Sequence, residues 1–231
     1  ERIADAVIGA WHARRPGATG YGLGHAVVGR NRRSVFEGGV SCMYGDTSIP
    51  EFQHIEGCED HDVNVLATWG AAGELTGVVV NVACPSQVSE QLFRISADYW
   101  HDVRVELRRR LGANIFILPQ CSAAGDQSPH VQVGKGAEEH MLRLAGRTQR
   151  EEIAVRIADA VESVLPLIEQ EKVEAAVVRH HVETVELSRR RLSQADVDEA
   201  SEEVGKLFAE YERLCKELED NPELREEPRW Y

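Results

Sequence analysis

Apolar residues change their period several times along this 231-residue chain, and each change marks an element. Ile3, Ala6, Val7, Ala10 and Trp11 recur at helical spacing, which predicts a helix over 2–12 ended by Arg15–Pro16–Gly17. The Gly-rich run 21–28 predicts a strand. Residues 34–61, dense in Gly, Ser, Asp and His, predict a long loop. Val63, Val65 and Ala67 alternate with polar neighbours, whereas 75–83 is almost continuously apolar, and Gly70–Ala71–Ala72–Gly73 joins the two as a hairpin. Apolar on both sides, the second strand is expected to be central and covered on both faces. It must stop at Pro85, which cannot donate to a ladder.

Ser96 then offers an N-cap for a helix with Ala97, Trp100, Val103, Leu107 and Leu111 on one face and Gly112 at its end. Residues 114–118 form the next expected strand, followed by a small-residue loop over 122–130. Strand, helix, strand and loop in that order make an α/β unit whose strand ends carry a site. Beyond it the pattern predicts a helix over 149–168, a long strand over 173–187, and a helix opened by Ser193 and Asp196. This last helix carries Val197, Ala200, Val204, Leu207, Tyr211, Leu214 and Leu218 at alternating steps of three and four, a heptad stripe. The stripe over 197–218 suits an intramolecular helix hairpin or a homodimer seam. The expected fold class is therefore α/β: mixed β-sheets flanked by helices, with a C-terminal amphipathic helical segment. Residues 1–187 form the α/β domain and 188–231 the helical segment, as part of the same larger domain.

Charge narrows the partners. The chain has 26 Lys+Arg against 39 Asp+Glu, a net charge of −13, and its basic triplets are scattered. Phosphate neutralisation needs a clustered positive surface, so no nucleic-acid partner is expected. No apolar run reaches the roughly 18 residues of a membrane span. Glu1, Arg2 and Asp5 stand where a signal peptide would be apolar, so a cytoplasmic location is expected. Five cysteines without a CxxC pair fit a reducing interior better than a disulfide framework. The chain opens at Glu1 directly in helical periodicity and is expected to be a piece of something longer.

Three constellations could carry chemistry. His54, Cys58 and His61, among Glu56, Glu59, Asp60 and Asp62, are metal-ligating types, although their spacing fits no structural zinc module and a solvated acidic loop is the alternative. Tyr21–Gly22–Leu23–Gly24–His25 allows close backbone approach but lacks the lysine and helix of a phosphate loop. The third is the pair of strand-end loops, Cys84–Pro85–Ser86–Gln87 and Gly125–Asp126–Gln127–Ser128–Pro129–His130. Ser128 beside Asp126 and His130 suits an activated nucleophile, or a turn tied down by its polar side chains. It is not the G-x-S-x-G elbow.

Those loops also carry a family resemblance. Arg30–Asn31–Arg32–Arg33–Ser34, then HDVNVLATWGAAGELTGVVVNVACP (61–85), then Ile95–Ser96–Ala97–Asp98–Tyr99, and lastly the 125–130 loop resemble the motif series of the neutral/alkaline ceramidases. In that family an N-R-S element precedes a strand pair ending in His-Pro, an S-[AS]-D helix start follows, and G-D-x-S-P-N closes the series. The resemblance covers about residues 20–131 and implies a zinc-dependent amidohydrolase that cleaves the N-acyl bond of ceramide-like lipids. Its substrate would be a small-molecule amide or a lipid. Ser128 matches the family's catalytic serine, as nucleophile or as a group polarising the amide, with Asp126 and His130 beside it. Asn31, Arg32 and Asp98 match substrate-side positions, and Cys84 falls where the family has a zinc-binding histidine. His130 stands where Asn is usual, and the family's H-x-H-S-G-P motif is not in this chain. A non-catalytic binding or scaffold relative is the alternative expectation.

Overall fold

The computed structural model describes residues 2–92 and 94–226. In chain order its elements are α1 (Arg2–Ala13), β1 (Gly17–His25), β2 (Arg30–Asn31), β3 (Arg33–Phe36), β4 (Val40–Met43), β5 (Phe52–Ile55), β6 (Asp62–Gly70), β7 (Leu75–Val82), α2 (Tyr99–Leu111), β8 (Phe116–Cys121), β9 (Gln127–Ser128), α3 (Lys135–Ala145), α4 (Gln149–Gln170) and α5 (Gln194–Asp220). The chain divides into two units at Val177/Val178.

In the first unit the main sheet runs β1-β6-β7-β8. The expected hairpin is the antiparallel β6–β7 pair, and β8 lies parallel to β7. A parallel neighbour needs a crossover, which α2 supplies. Val63, Val65, Ala67 and Trp69 of β6 and Val78, Val80 and Val82 of β7 point to one face. There they pack with Val103 and Leu107 of α2 and with Ile153, Ile157, Val161 and Ile168 of α4. β1 contributes almost no side chain to this layer. A Cβ added at Gly20 or Gly22 would stand 2.7 Å from Ile168, and one at Gly24 would stand 3.0 Å from the Ala160 carbonyl oxygen. The glycines of the 21–25 run thus serve close approach of a helix, not of a ligand.

Four sequence expectations are corrected. β7 is central, yet only one of its faces is covered, for Leu66, Phe116 and Leu118 on the neighbouring strands are exposed on the other. The expected loop 34–61 holds a three-stranded sheet, β4-β3-β5, whose short strands alternate too briefly to show a period. Residues 173–187 form no strand: Val173 makes a single bridge to Thr19, and Val177, Val178, Val182 and Val185 beyond it are exposed. β-branched residues without a ladder partner do not make a strand. Finally, α2 starts at Tyr99 and not near Ser96, whose Oγ accepts the Asp98 N–H at 3.0 Å one turn earlier. The sequence pattern also missed α3, a helix with no buried residue, bounded by left-handed Gly134 and Gly146.

The second unit consists chiefly of α5. Ser193 and Asp196 close a capping box at its start, as their spacing predicts. Its stripe residues Val204, Leu207 and Tyr211 are exposed. Among the described residues no helix is long and apolar enough to cross a membrane.

Candidate active site around Ser128

Two segments about a hundred residues apart meet at the β2–β9 ladder, where Arg30 pairs with Ser128 and Asn31 with Gln127. The Arg32 N–H extends the ladder to the Asp126 carbonyl at 2.8 Å. Two rungs are too few to hold such a junction, and side chains complete it. Asn31 is buried; its Nδ2 donates to Asp126 Oδ2 at 2.9 Å and its Oδ1 accepts the Arg33 N–H at 3.0 Å. Gly57 lies against it, where a Cβ would stand 2.7 Å from Asn31 Nδ2. Arg32 Nη2 donates to the Gly125 carbonyl at 2.8 Å and Nη1 to Tyr44 Oη at 3.4 Å. The same guanidinium sits 5.7 Å from the centroid of the Tyr44 ring, within cation–π reach.

Ser128 is wholly buried. Its Oγ accepts hydrogen bonds from Tyr44 Oη and from the His130 N–H, each at 3.2 Å. The His130 ring stands edge-on to Tyr44 at 5.6 Å, and its Nε2 lies 3.1 Å from Glu90 Oε1. The Pro129 carbonyl accepts Gln149 Nε2 at 2.7 Å, which ties the loop to the start of α4. Asp98 acts one step away. Its buried carboxylate accepts the Val88 and Ser89 N–H groups at 3.2 and 2.7 Å and so fixes the backbone that presents Glu90 to His130.

Of the sequence-derived residues, the structure therefore brings Asn31, Arg32, Asp126, Ser128 and His130 into one hydrogen-bonded cluster. Tyr44 belongs to it and was missed, because it sits in the segment expected to be a loop and no spacing singles it out. Its backbone is left-handed, with φ of 58°, and its N–H donates to the Arg32 carbonyl at 2.8 Å. A bulky residue holds that conformation only where its surroundings require it.

Cys84 occupies a different environment. It is wholly buried, and burial pushes its thiol up to about 12, against a smaller opposing effect of the Tyr99 hydroxyl. Tyr99 Oη donates to the Cys84 carbonyl at 2.7 Å. A thiol binds zinc only by releasing its proton, which burial makes more costly here. Nor do the other candidates converge on a metal. His61 Nε2 meets Glu59 at 2.9 Å, His54 lies on β5, and Cys58 is exposed. Among the described residues no group of three or more His, Cys, Asp or Glu is placed to hold a metal ion. By themselves the residues present do not fit the zinc that the resemblance implies.

The sheet covered by α2 and α4, with the serine loop laddered to β2, has a ceramidase-like fold by its match to a solved structure. The crystal structure of neutral ceramidase from Pseudomonas aeruginosa matches it with a TM-score of 0.51 at 19% identity, over 75% of this chain and 26% of that one. A ceramidase complexed with C2 matches at 0.49 and 20% identity, over 71% of this chain and 24% of the other. The chain thus spans about a quarter of the length of these ceramidases. No protein-family model matches the chain, and no curated protein does.

Proposed function

We propose that this chain is the serine-bearing part of a ceramidase-type amide hydrolase, acting on the N-acyl bond of a ceramide-like lipid or a smaller amide. The observation that carries the reading is the convergence of Asn31, Arg32, Asp126, Ser128 and His130 on one short ladder within a ceramidase-like fold. In this reading Ser128 meets the amide carbonyl, Asn31 and Asp126 hold the two loops in register, and Glu90 fixes the His130 ring. Ser128 is wholly buried, so side chains around it must shift to admit a substrate. The chain's own residues account for binding the carbonyl and not for activating water.

A second reading, a non-catalytic relative that keeps the fold, is favoured by Cys84, a wholly buried thiol at the position where the resemblance implies a zinc-binding histidine. Turnover of N-acylsphingosine and of a short N-acyl amide by the full-length protein, with zinc supplied, separates the two. Hydrolysis that disappears in Ser128→Ala supports the hydrolase. No turnover of either substrate leaves the scaffold reading. A calorimetric zinc titration of wild type and Cys84→Ala tests the metal directly: binding that Cys84→Ala abolishes makes Cys84 a ligand despite its burial.

A further inference from the structure

We propose that Tyr44 is a positioning residue that sets Ser128 as a hydrogen-bond donor to the substrate's carbonyl oxygen and not as a nucleophile. This rests on the amide-hydrolase reading above. A serine hydroxyl has two lone pairs and one proton. Tyr44 Oη donates to one lone pair and the His130 N–H to the other, each at 3.2 Å. Nucleophilic attack needs a free lone pair and a base to take the Oγ proton. Neither candidate base is so placed. His130 Nε2 faces Glu90, and the Asp126 carboxylate is bonded to Asn31.

What Ser128 has left to offer is its own O–H. The bonds behind it run in one direction, from the Arg32 guanidinium to Tyr44 Oη and from Tyr44 Oη to Ser128 Oγ. Donor chains of this kind polarise one another and strengthen the last O–H as a donor. Aimed at an amide carbonyl, that O–H stabilises the negative charge which develops on the oxygen during attack. No bond to Ser128 forms or breaks, and its proton stays on Oγ throughout. Tyr44 is suited to the task because its backbone N–H is fixed to Arg32 and its ring is held between Arg32 and His130.

The test combines kinetics with a covalent probe. Tyr44→Phe keeps the ring and its packing and removes only the hydroxyl. It should lower kcat on a short N-acyl amide by about 10- to 100-fold, somewhat less than loss of a direct oxyanion donor, with KM little changed. In a Ser128→Ala background the same substitution should have no further effect, since Tyr44 acts through Ser128. A fluorophosphonate should leave Ser128 of the wild-type protein unmodified, as read by peptide mass. A Ser128 adduct overturns the proposal even if Tyr44→Phe fails to fold. So does wild-type kcat in Tyr44→Phe while Ser128→Ala is inactive; in that case the hydrolase reading survives. Unchanged turnover in Ser128→Ala sinks the hydrolase reading itself, and the role of Tyr44 with it.

Discussion

Gly20, Gly22 and Gly24 let α4 lie against β1, so the main sheet is held by contacts that have no preferred direction. The β2–β9 junction has two ladder rungs and relies on directed hydrogen bonds from Asn31, Arg32, Tyr44 and Gln149. The first region is apolar and spread over many side chains. The second is polar, and its bonds tie the one 125–130 loop to the 30–32 segment, to Tyr44 and to α4. A loss in the sheet layer should therefore weaken the whole unit, whereas a loss at the junction should free particular loops.

The largest effects are expected in the sheet layer. Leu107 is wholly buried between α2 and the sheet. Leu107→Ala should cost about 3 kcal/mol in chemical denaturation, since transfer and cavity contributions add. Gly22→Val forces a side chain into Ile168 and should cost about 1–3 kcal/mol by overpacking. A value near zero would mean that α2 does not pack as described for Leu107→Ala, and that α4 does not for Gly22→Val.

At the junction, Asn31→Ala removes a buried amide and strips the half-buried Arg33 N–H and the exposed Asp126 carboxylate of a partner. About 2 kcal/mol is expected, because two hydrogen bonds are lost and one of them is to a charged carboxylate. Hydrogen exchange sharpens the contrast: faster exchange should be confined to 30–33 and 125–130, with β6 and β7 unchanged. Uniform acceleration would show that the two regions open together.

These two regions also differ in how legible they were. Alternation at Val63, Val65 and Ala67 and helical spacing at Ile153, Ile157 and Val161 announce the sheet layer, because burial on one face imposes a period. Nothing of that kind marks the junction. Its partners lie about a hundred residues apart and meet through polar atoms, so Ser128 came into view only as a loop residue at a strand end, and Asn31 and Arg32 only through the resemblance of the motif series. Tyr44 stayed hidden for the same reason. The strand expected over 173–187 failed in the opposite way, for its valines suit a sheet that offers no ladder to them beyond Val173.

Cys84 gives a test by pH. Folded, the thiol keeps its proton up to about 12; unfolded, it loses it near about 8.5. Between those values the unfolded chain binds fewer protons, so stability falls as pH rises, by about 1.4 kcal/mol per pH unit. Burial raises the Tyr99 hydroxyl in the same direction, from a higher starting point, so the interval between about pH 8.5 and 10 isolates the thiol. Cys84→Ala should flatten the dependence of denaturation midpoint on pH in that interval. If the slope persists, the thiol is not the group that burial penalises.

The smallest expected change sits on the helix that touches both regions. Thr148 and Glu151 form a capping box at the start of α4. Gln149, in the first turn, holds the Pro129 carbonyl, while Ile168, near the other end, packs against Gly20 and Gly22. Thr148→Ala leaves the Glu151 N–H without its side-chain acceptor and should cost about 1 kcal/mol. Fraying is confined to the first turn, so its consequence should be local. The Gln149 bond loosens, the 128–130 loop gains freedom, and the His130 amide exchanges faster. The amides of β6 should not respond. A response in β6 equal to that at His130 would mean that α4 moves as one rigid body and couples the serine loop to the sheet, which would remove the contrast between the two regions.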